Sequence, residues 1–120
     1  MPGKKDSRLV VRKDGNITRI EFLDRNIIEE AGIQQIGDEV AALIDATASP
    51  KILISFENVE HLSSAALGTL ITINNKVRQK GGQLRLSNID PQIYEVFTIT
   101  KLNKLFQIHD NAELAVNSFK

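Results

Sequence analysis

The amino-acid sequence predicts a single α/β domain with a mixed sheet of four to five strands and about four helices. Near the start of the chain, two strand-like segments flank a tight-turn signal, which indicates an antiparallel hairpin. Strand and helix patterns then alternate, which favours right-handed crossovers and a sheet that is parallel in its later part. The 120 residues, 42% of them hydrophobic, suit one globular domain. We therefore treat residues 1–120 as one domain and expect residues 1–7 to form a flexible N-terminal segment.

Composition excludes several classes of function. The chain has 15 Lys and Arg against 15 Asp and Glu, so a basic surface for nucleic acid is not expected. It has no Cys, which excludes disulfides, thiol nucleophiles and thiolate metal sites. No apolar run approaches the ~20 residues that span a bilayer, and the first residues lack the apolar core of a signal peptide. We expect a cytoplasmic protein whose direct partners are neither nucleic acid nor membrane.

The neutral total hides a modest difference between the two halves of the chain. Residues 1–60 carry 8 basic and 11 acidic side chains, whereas residues 61–120 carry 7 and 4. The simplest interpretation is that two solvated faces differ in charge. The difference would matter for function only if charges of one sign gathered around a site.

The opening hairpin is predicted from alternation and turn chemistry. We expect strands over residues 9–13 and 17–23. Residues 14–16 (Asp-Gly-Asn) lie between them, and Gly and Asn tolerate the positive φ angles of tight turns. Residues 24–32 show no regular pattern.

A helix and a buried strand follow. The helix is predicted over residues 33–48, because four apolar residues fall on one helical stripe. They are Ile36, Val40, Leu43 and Ile44. Pro50 ends the helix, since the residue before a proline disfavours helical geometry. The apolar run 51–56 is typical of a strand that is covered on both faces.

The second helix is predicted over residues 64–80. Its core stripe consists of Ala66, Leu70, Ile73 and Val77. Gly81 and Gly82 end the helix, since glycine adopts the left-handed geometry that commonly follows a helix. Its basic residues cluster in the last turns, where the helix dipole favours cations.

Shorter elements complete the chain. We expect a strand over residues 83–87 and a helix over residues 91–98, which begins at a proline. A last strand is predicted over residues 105–108. Asn111 is the predicted cap of a final helix that extends to about residue 119.

Recognisable catalytic motifs are absent from the sequence. It contains no phosphate-binding glycine loop, no dinucleotide fingerprint and no nucleophile elbow. His61 and His109 are 48 residues apart, and neither belongs to a metal-ligand pair. We therefore expect no enzymatic activity, no metal and no cofactor.

The most informative segment joins the buried strand to the second helix. It places Ser63 and Ser64 at the start of that helix. One interpretation is that a serine hydroxyl caps the helix by accepting a hydrogen bond from a free N–H of the first turn. The other is that the site is phosphorylated, since a phosphate there would meet free N–H groups and the positive end of the helix dipole. The two interpretations are compatible.

This segment resembles the anti-sigma factor antagonist (STAS) domain family. The sequence Leu-Ser-Ser-Ala-Ala-Leu-Gly at residues 62–68 follows a hydrophobic strand and precedes a helix that ends in two glycines. The resemblance covers nearly the whole chain and includes the opening hairpin, Asp24 at the end of its second strand, and the helix that begins at Pro91. The order of these features carries more weight than any single short motif.

The resemblance assigns roles to the two serines. Family members typically have Asp-Ser-Ser-Gly-Leu-Gly here, and alignment on the Leu-Gly pair places the family's phosphoacceptor on Ser64, with Ser63 as the fallback. Ser63 stands at the motif's Asp, and Ala65 stands at its second serine. Ser55 stands where the preceding strand often carries a carboxylate. In the family these acidic groups lie beside the phosphoacceptor.

The resemblance implies a non-catalytic switch that works through protein interaction. The unphosphorylated protein would bind an anti-sigma factor or regulatory serine kinase, and phosphorylation would release it. ATP and Mg²⁺ would belong to that partner, and the chain itself would be a monomer or a weak homodimer. The residues expected to bind the partner are Asp24, Leu62, Ser63, Ser64, Leu67, Gly68 and Ile71.

Three alternatives stay open at this point. Leu67 and Ile71 form either an apolar docking patch or part of a wide core face. Because the motif's acidic residues are replaced, the chain could also be a constitutive STAS scaffold without phosphorylation. A small-molecule or nucleotide-sensing module would use the same helix start as an anion site.

Overall fold

A mixed sheet and a set of helices form residues 9–119, the part of the chain that the computed structural model describes. The predicted flexible segment 1–7 lies outside these residues. In chain order the strands are β1 (Leu9–Asp14), β2 (Ile17–Phe22), β3 (Asn26–Ile27), β4 (Lys51–Ser55), β5 (His61–Leu62), β6 (Gln83–Ser87) and β7 (Gln107–His109). The helices are α1 (Glu30–Asp45), α2 (Ser64–Gln79), α3 (Pro91–Ile99) and α4 (Ala112–Asn117), with a short 3₁₀ helix at Leu102–Lys104.

The main sheet has five strands in the order β1-β2-β4-β6-β7. β1 pairs with β2 in antiparallel register, and Gly15 in the turn between them has a φ of 63°. The remaining neighbours are parallel. The predicted fold class, with its opening hairpin, mixed sheet and four helices, is therefore confirmed.

The main hydrophobic core lies between the sheet and the pair α1 and α2. The predicted stripe of α2 is buried throughout, as are Ile36, Val40 and Ile44 of α1, whereas Leu43 is only partly buried. The opposite face of the sheet is covered by α4, where Ala115 packs on Ile17 and Leu53. Parallel strands thus have helices on both faces, which explains the apolar run of β4.

Several predicted boundaries were wrong. α1 begins and ends three residues earlier than predicted. It ends at Asp45 because residues 46–49 turn the chain back into β4, with Ser49 in left-handed geometry. The last strand begins at Gln107, because Leu105 and the buried Phe106 belong to the turn after the 3₁₀ helix. α4 ends at Asn117 rather than near residue 119.

Two strands and the 3₁₀ helix were not predicted. β3 and β5 have two residues each, which is too short for an alternating pattern. Among the strands of the described residues, they pair only with each other, in parallel register. Within residues 9–119, no helix combines the length and the apolar character that crossing a membrane requires.

Candidate functional site

The two serines directly follow β5, which pairs with β3 in parallel register and so connects two loops. β3 lies in the loop after β2, and β5 lies in the loop after β4. The backbone N–H groups of Glu60 and His61 both donate to the Arg25 carbonyl oxygen, over 2.7 and 3.1 Å. The Ser63 N–H donates to the Ile27 carbonyl oxygen over 3.1 Å. These bonds hold the start of α2 against the loop that carries Asp24.

Ser63 is the cap of α2. Its Oγ accepts a hydrogen bond from the Ala66 N–H over 3.2 Å, and its backbone is extended with φ −81° and ψ 166°. Its carbonyl oxygen accepts the Leu67 N–H, which begins the helical hydrogen bonding. The capping interpretation therefore applies to Ser63, whose hydroxyl satisfies one of the donors left free at a helix start.

Ser64 is the first residue of α2 and is exposed. Its hydroxyl makes no hydrogen bond within residues 9–119. A phosphate on this oxygen would lie beside the N–H groups of the first turn and at the positive end of the helix dipole. Of the two serines, Ser64 thus has the more accessible hydroxyl.

The other predicted site residues differ in burial. Gly68 is exposed, Leu62 and Asp24 are half-buried, and Leu67 is only 7% exposed. Leu67 belongs to the main core, and the half-buried Ile71 packs against it. Of the two alternatives for Leu67 and Ile71, the wide core face describes their packing.

Leu67 also contributes to a groove between α2 and α3. This groove has a volume of about 140 Å³. Its walls and rim are Glu60, His61, Leu62, Leu67, Gln92, Ile93 and Val96. Sequence reasoning missed the α3 side of the groove, although Val96 lies outside the apolar stripe of its helix and could have signalled an unusual surface.

The loop between β4 and β5 carries two exposed carboxylates. Ser55, which stands at a family acidic position, is buried, and its Oγ donates to Asn88 Oδ1 over 3.4 Å. Glu57 and Glu60 on the following loop are exposed and line a polar cavity of about 440 Å³ together with Asp90. The loop thus supplies carboxylates although Ser55 and Ser63 do not.

Arg25 partly balances these carboxylates. Its guanidinium lies 3.7 Å from a Glu60 carboxylate oxygen, and both side chains are largely exposed. Such an exposed pair contributes little to stability. Across residues 9–119 no cluster of three or more His, Asp or Glu side chains is arranged to hold a metal ion.

Fold and site together define a small α/β domain that presents an exposed serine at the start of a helix. The model of the STAS domain family matches residues 5–115. The chain therefore belongs to the STAS domain family, which confirms the resemblance seen in its sequence.

Known proteins similar to this chain agree with that assignment. BtrV of Bordetella bronchiseptica, whose name assigns it to the anti-sigma factor antagonists, is 26% identical over 80% of this chain and 82% of its own length. A STAS domain protein from Planctomyces limnophilus has a TM-score of 0.83 at 20% identity, covering 92% of this chain and 96% of its own. The phosphorylated form of the Bacillus protein SpoIIAA has a TM-score of 0.68 at 17% identity, covering 91% and 96%.

Proposed function

We propose that this chain is an anti-sigma factor antagonist that is switched by phosphorylation of Ser64. The observation that carries the proposal is the exposed hydroxyl of Ser64 at the first position of α2. The names of BtrV and of the Planctomyces protein support the antagonist role, and the phosphorylated SpoIIAA structure supports phosphorylation within this fold.

In this proposal the chain contributes a surface and a nucleophile, and catalysis belongs to the partner. The unphosphorylated protein binds an anti-sigma factor that is also a serine kinase. Ser64 Oγ attacks the terminal phosphorus of the partner's Mg²⁺-bound ATP. The Oγ–P bond forms as the bond to the ADP leaving group breaks, and the hydroxyl proton passes to a base of the partner. Both proteins then act in the cytoplasm, where ATP is available.

Mass spectrometry after incubation with a candidate partner kinase and Mg-ATP tests the proposal. We expect one phosphate on Ser64, no phosphate on the Ser64→Ala protein, and normal phosphorylation of the Ser63→Ala protein. The Ser63→Ala protein is the matched control because it removes the neighbouring hydroxyl and leaves Ser64 in place. Tight partner binding without phosphate on either serine would contradict the switch and identify a constitutive binder.

A further inference from the structure

Within residues 9–119, the connections at the two ends of the main sheet differ in charge. Because β2, β4, β6 and β7 are parallel, the connections that follow them lie at one end of the sheet, together with the start of α2. These connections carry six acidic residues, which are Asp24, Glu29, Glu57, Glu60, Asp90 and Asp110. Arg25 is the single Lys or Arg within them. We call this end of the molecule the acidic end.

The connections at the opposite end of the sheet are positively charged. The connections that precede β6 and β7 contain Lys80, Lys101 and Lys104 and no acidic residue. The last turns of α2 add Lys76 and Arg78, and Asp45 at the end of α1 is already paired with Lys76 over 3.4 Å. Lys76, Arg78 and Lys80 lie roughly 20 Å along the axis of α2 from Ser64, and therefore far from the start of that helix.

The groove between α2 and α3 opens at the acidic end. Leu67 lies one helical turn after Ser64. Glu60 lines both the groove and the neighbouring polar cavity of about 440 Å³. The floor of the groove is apolar, with Leu62, Leu67 and Ile93, and its α3 wall includes Val96, which is 39% exposed. The site therefore combines an apolar recess with nearby carboxylates. Glu60 is paired with Arg25, and Glu57 and Asp90 line the neighbouring cavity.

We propose that this groove receives an apolar side chain of a protein partner whose surrounding surface is basic. The identity of that partner rests on the proposed function, and its chemistry follows from the charge of the acidic end. Acidic groups around an apolar recess disfavour an acidic partner and steer a basic one, while the buried side chain provides the affinity. Ser64 lies one helical turn before Leu67, which lines the groove, so a phosphate on Ser64 would be close to the inserted apolar group and would lose part of its hydration.

Methyl NMR of the purified protein tests the groove without a known partner. The probes are two short synthetic peptides, each with a central leucine, flanked by lysines in one and by glutamates in the other. We expect the lysine peptide to shift the methyl signals of Leu62, Leu67, Ile93 and Val96, and the glutamate peptide to leave them unchanged. The shifts should weaken as salt rises from about 0.05 to about 0.5 M. Equal shifts with both peptides, or no shift at these methyls, would overturn the proposal.

Variants of α3 provide the matched control. Val96→Lys places a cation in the groove and should reduce binding of the lysine peptide about tenfold or more, while Val96→Glu should reduce it less. Ile99→Lys adds the same charge to an exposed position outside the groove and should leave binding within about twofold. If Ile99→Lys weakens binding as much as Val96→Lys, the effect is one of overall charge and the groove is not the site.

Two further outcomes keep this inference separate from the proposed function. Peptide binding in the groove without phosphorylation of Ser64 would support the groove and contradict the switch. Phosphorylation of Ser64 by a partner that binds the Val96→Lys protein as tightly as wild type would support the switch and overturn the groove. The groove could also be occupied by the basic end of a second copy of this chain. Light scattering at low salt detects such self-association, which would overturn the proposal.

Discussion

Gly82 lies directly against Pro50, where β4 and β6 begin side by side. A Cβ built on Gly82 would lie 2.2 Å from the Pro50 carbonyl oxygen and 2.9 Å from two atoms of its ring. That carbonyl oxygen also accepts the Gln83 N–H over 2.8 Å, so it cannot move without disturbing the pairing of the strands. A residue with no side chain is therefore required at this position.

We expect Gly82→Ala to lower the free energy of unfolding by about 2–3 kcal/mol, because the added carbon forces the strand starts apart. Urea denaturation measures this change. Gly68→Ala is the matched control, since a Cβ there meets no atom within 4 Å. That substitution in a helix should be neutral or stabilise by up to about 1 kcal/mol. A Gly82→Ala protein as stable as wild type would show that Pro50 can yield.

Single residues also explain why the start of α2 was predicted correctly. The Ser-Ser pair after a buried strand identified the start of α2, because capping is a local property of a few consecutive residues. The sequence could not show which serine caps, since both have the same hydroxyl. The backbone decides this, because the extended geometry at Ser63 directs its Oγ to the Ala66 N–H.

At the scale of elements, the start of α2 depends on Ser63. Ser63→Ala removes the acceptor for the Ala66 N–H and should lower the free energy of unfolding by about 1 kcal/mol. Ser64→Ala should change it by less than about 0.5 kcal/mol, because the Ser64 side chain is exposed. Thermal and urea denaturation of the two proteins give the comparison. Equal losses would mean that the capping role is shared.

The helices of this protein were easier to predict than its short strands. The stripes of α1 and α2 repeat over several turns, so their existence is evident from the sequence. β3 and β5 have two residues each and exist because the loops after β2 and β4 meet. Their pairing is a consequence of tertiary packing, and no local pattern records it.

At the scale of the whole molecule, the acidic end shapes how a phosphate can act. A phosphate adds about −1.5 to −2 charges to a surface that is already negative, so attraction to a basic partner persists at long range. If phosphorylation of Ser64 releases the partner, as we propose, the release must come from the interface, where the phosphate would lose part of its hydration. Phosphorylation should therefore raise the dissociation rate of the bound complex and leave the association rate nearly unchanged.

We expect phosphorylated protein to dissociate from its partner at least about tenfold faster, with an association rate within about threefold of the unphosphorylated protein. Surface plasmon resonance with the partner kinase and a non-hydrolysable ATP analogue measures both rates. Ser64→Ala protein treated in the same way is the control and should keep the unphosphorylated rates. A phosphate effect confined to the association rate would contradict a basic partner surface.

The sequence by itself determined the order of the four helices and of the five strands of the main sheet, the opening hairpin, the buried stripes of α1 and α2, and the serine pair at the start of α2. These are local properties, because turn chemistry, capping and periodicity depend on neighbouring residues. Only the tertiary structure decided the α2–α3 groove and the gathering of six acidic residues at one end. In the sequence these six residues are spread from position 24 to position 110, so the charge difference between the two halves of the chain does not record their common location. Parallel pairing brings the described connections together by end, so that they are acidic at one end of the sheet and basic at the other.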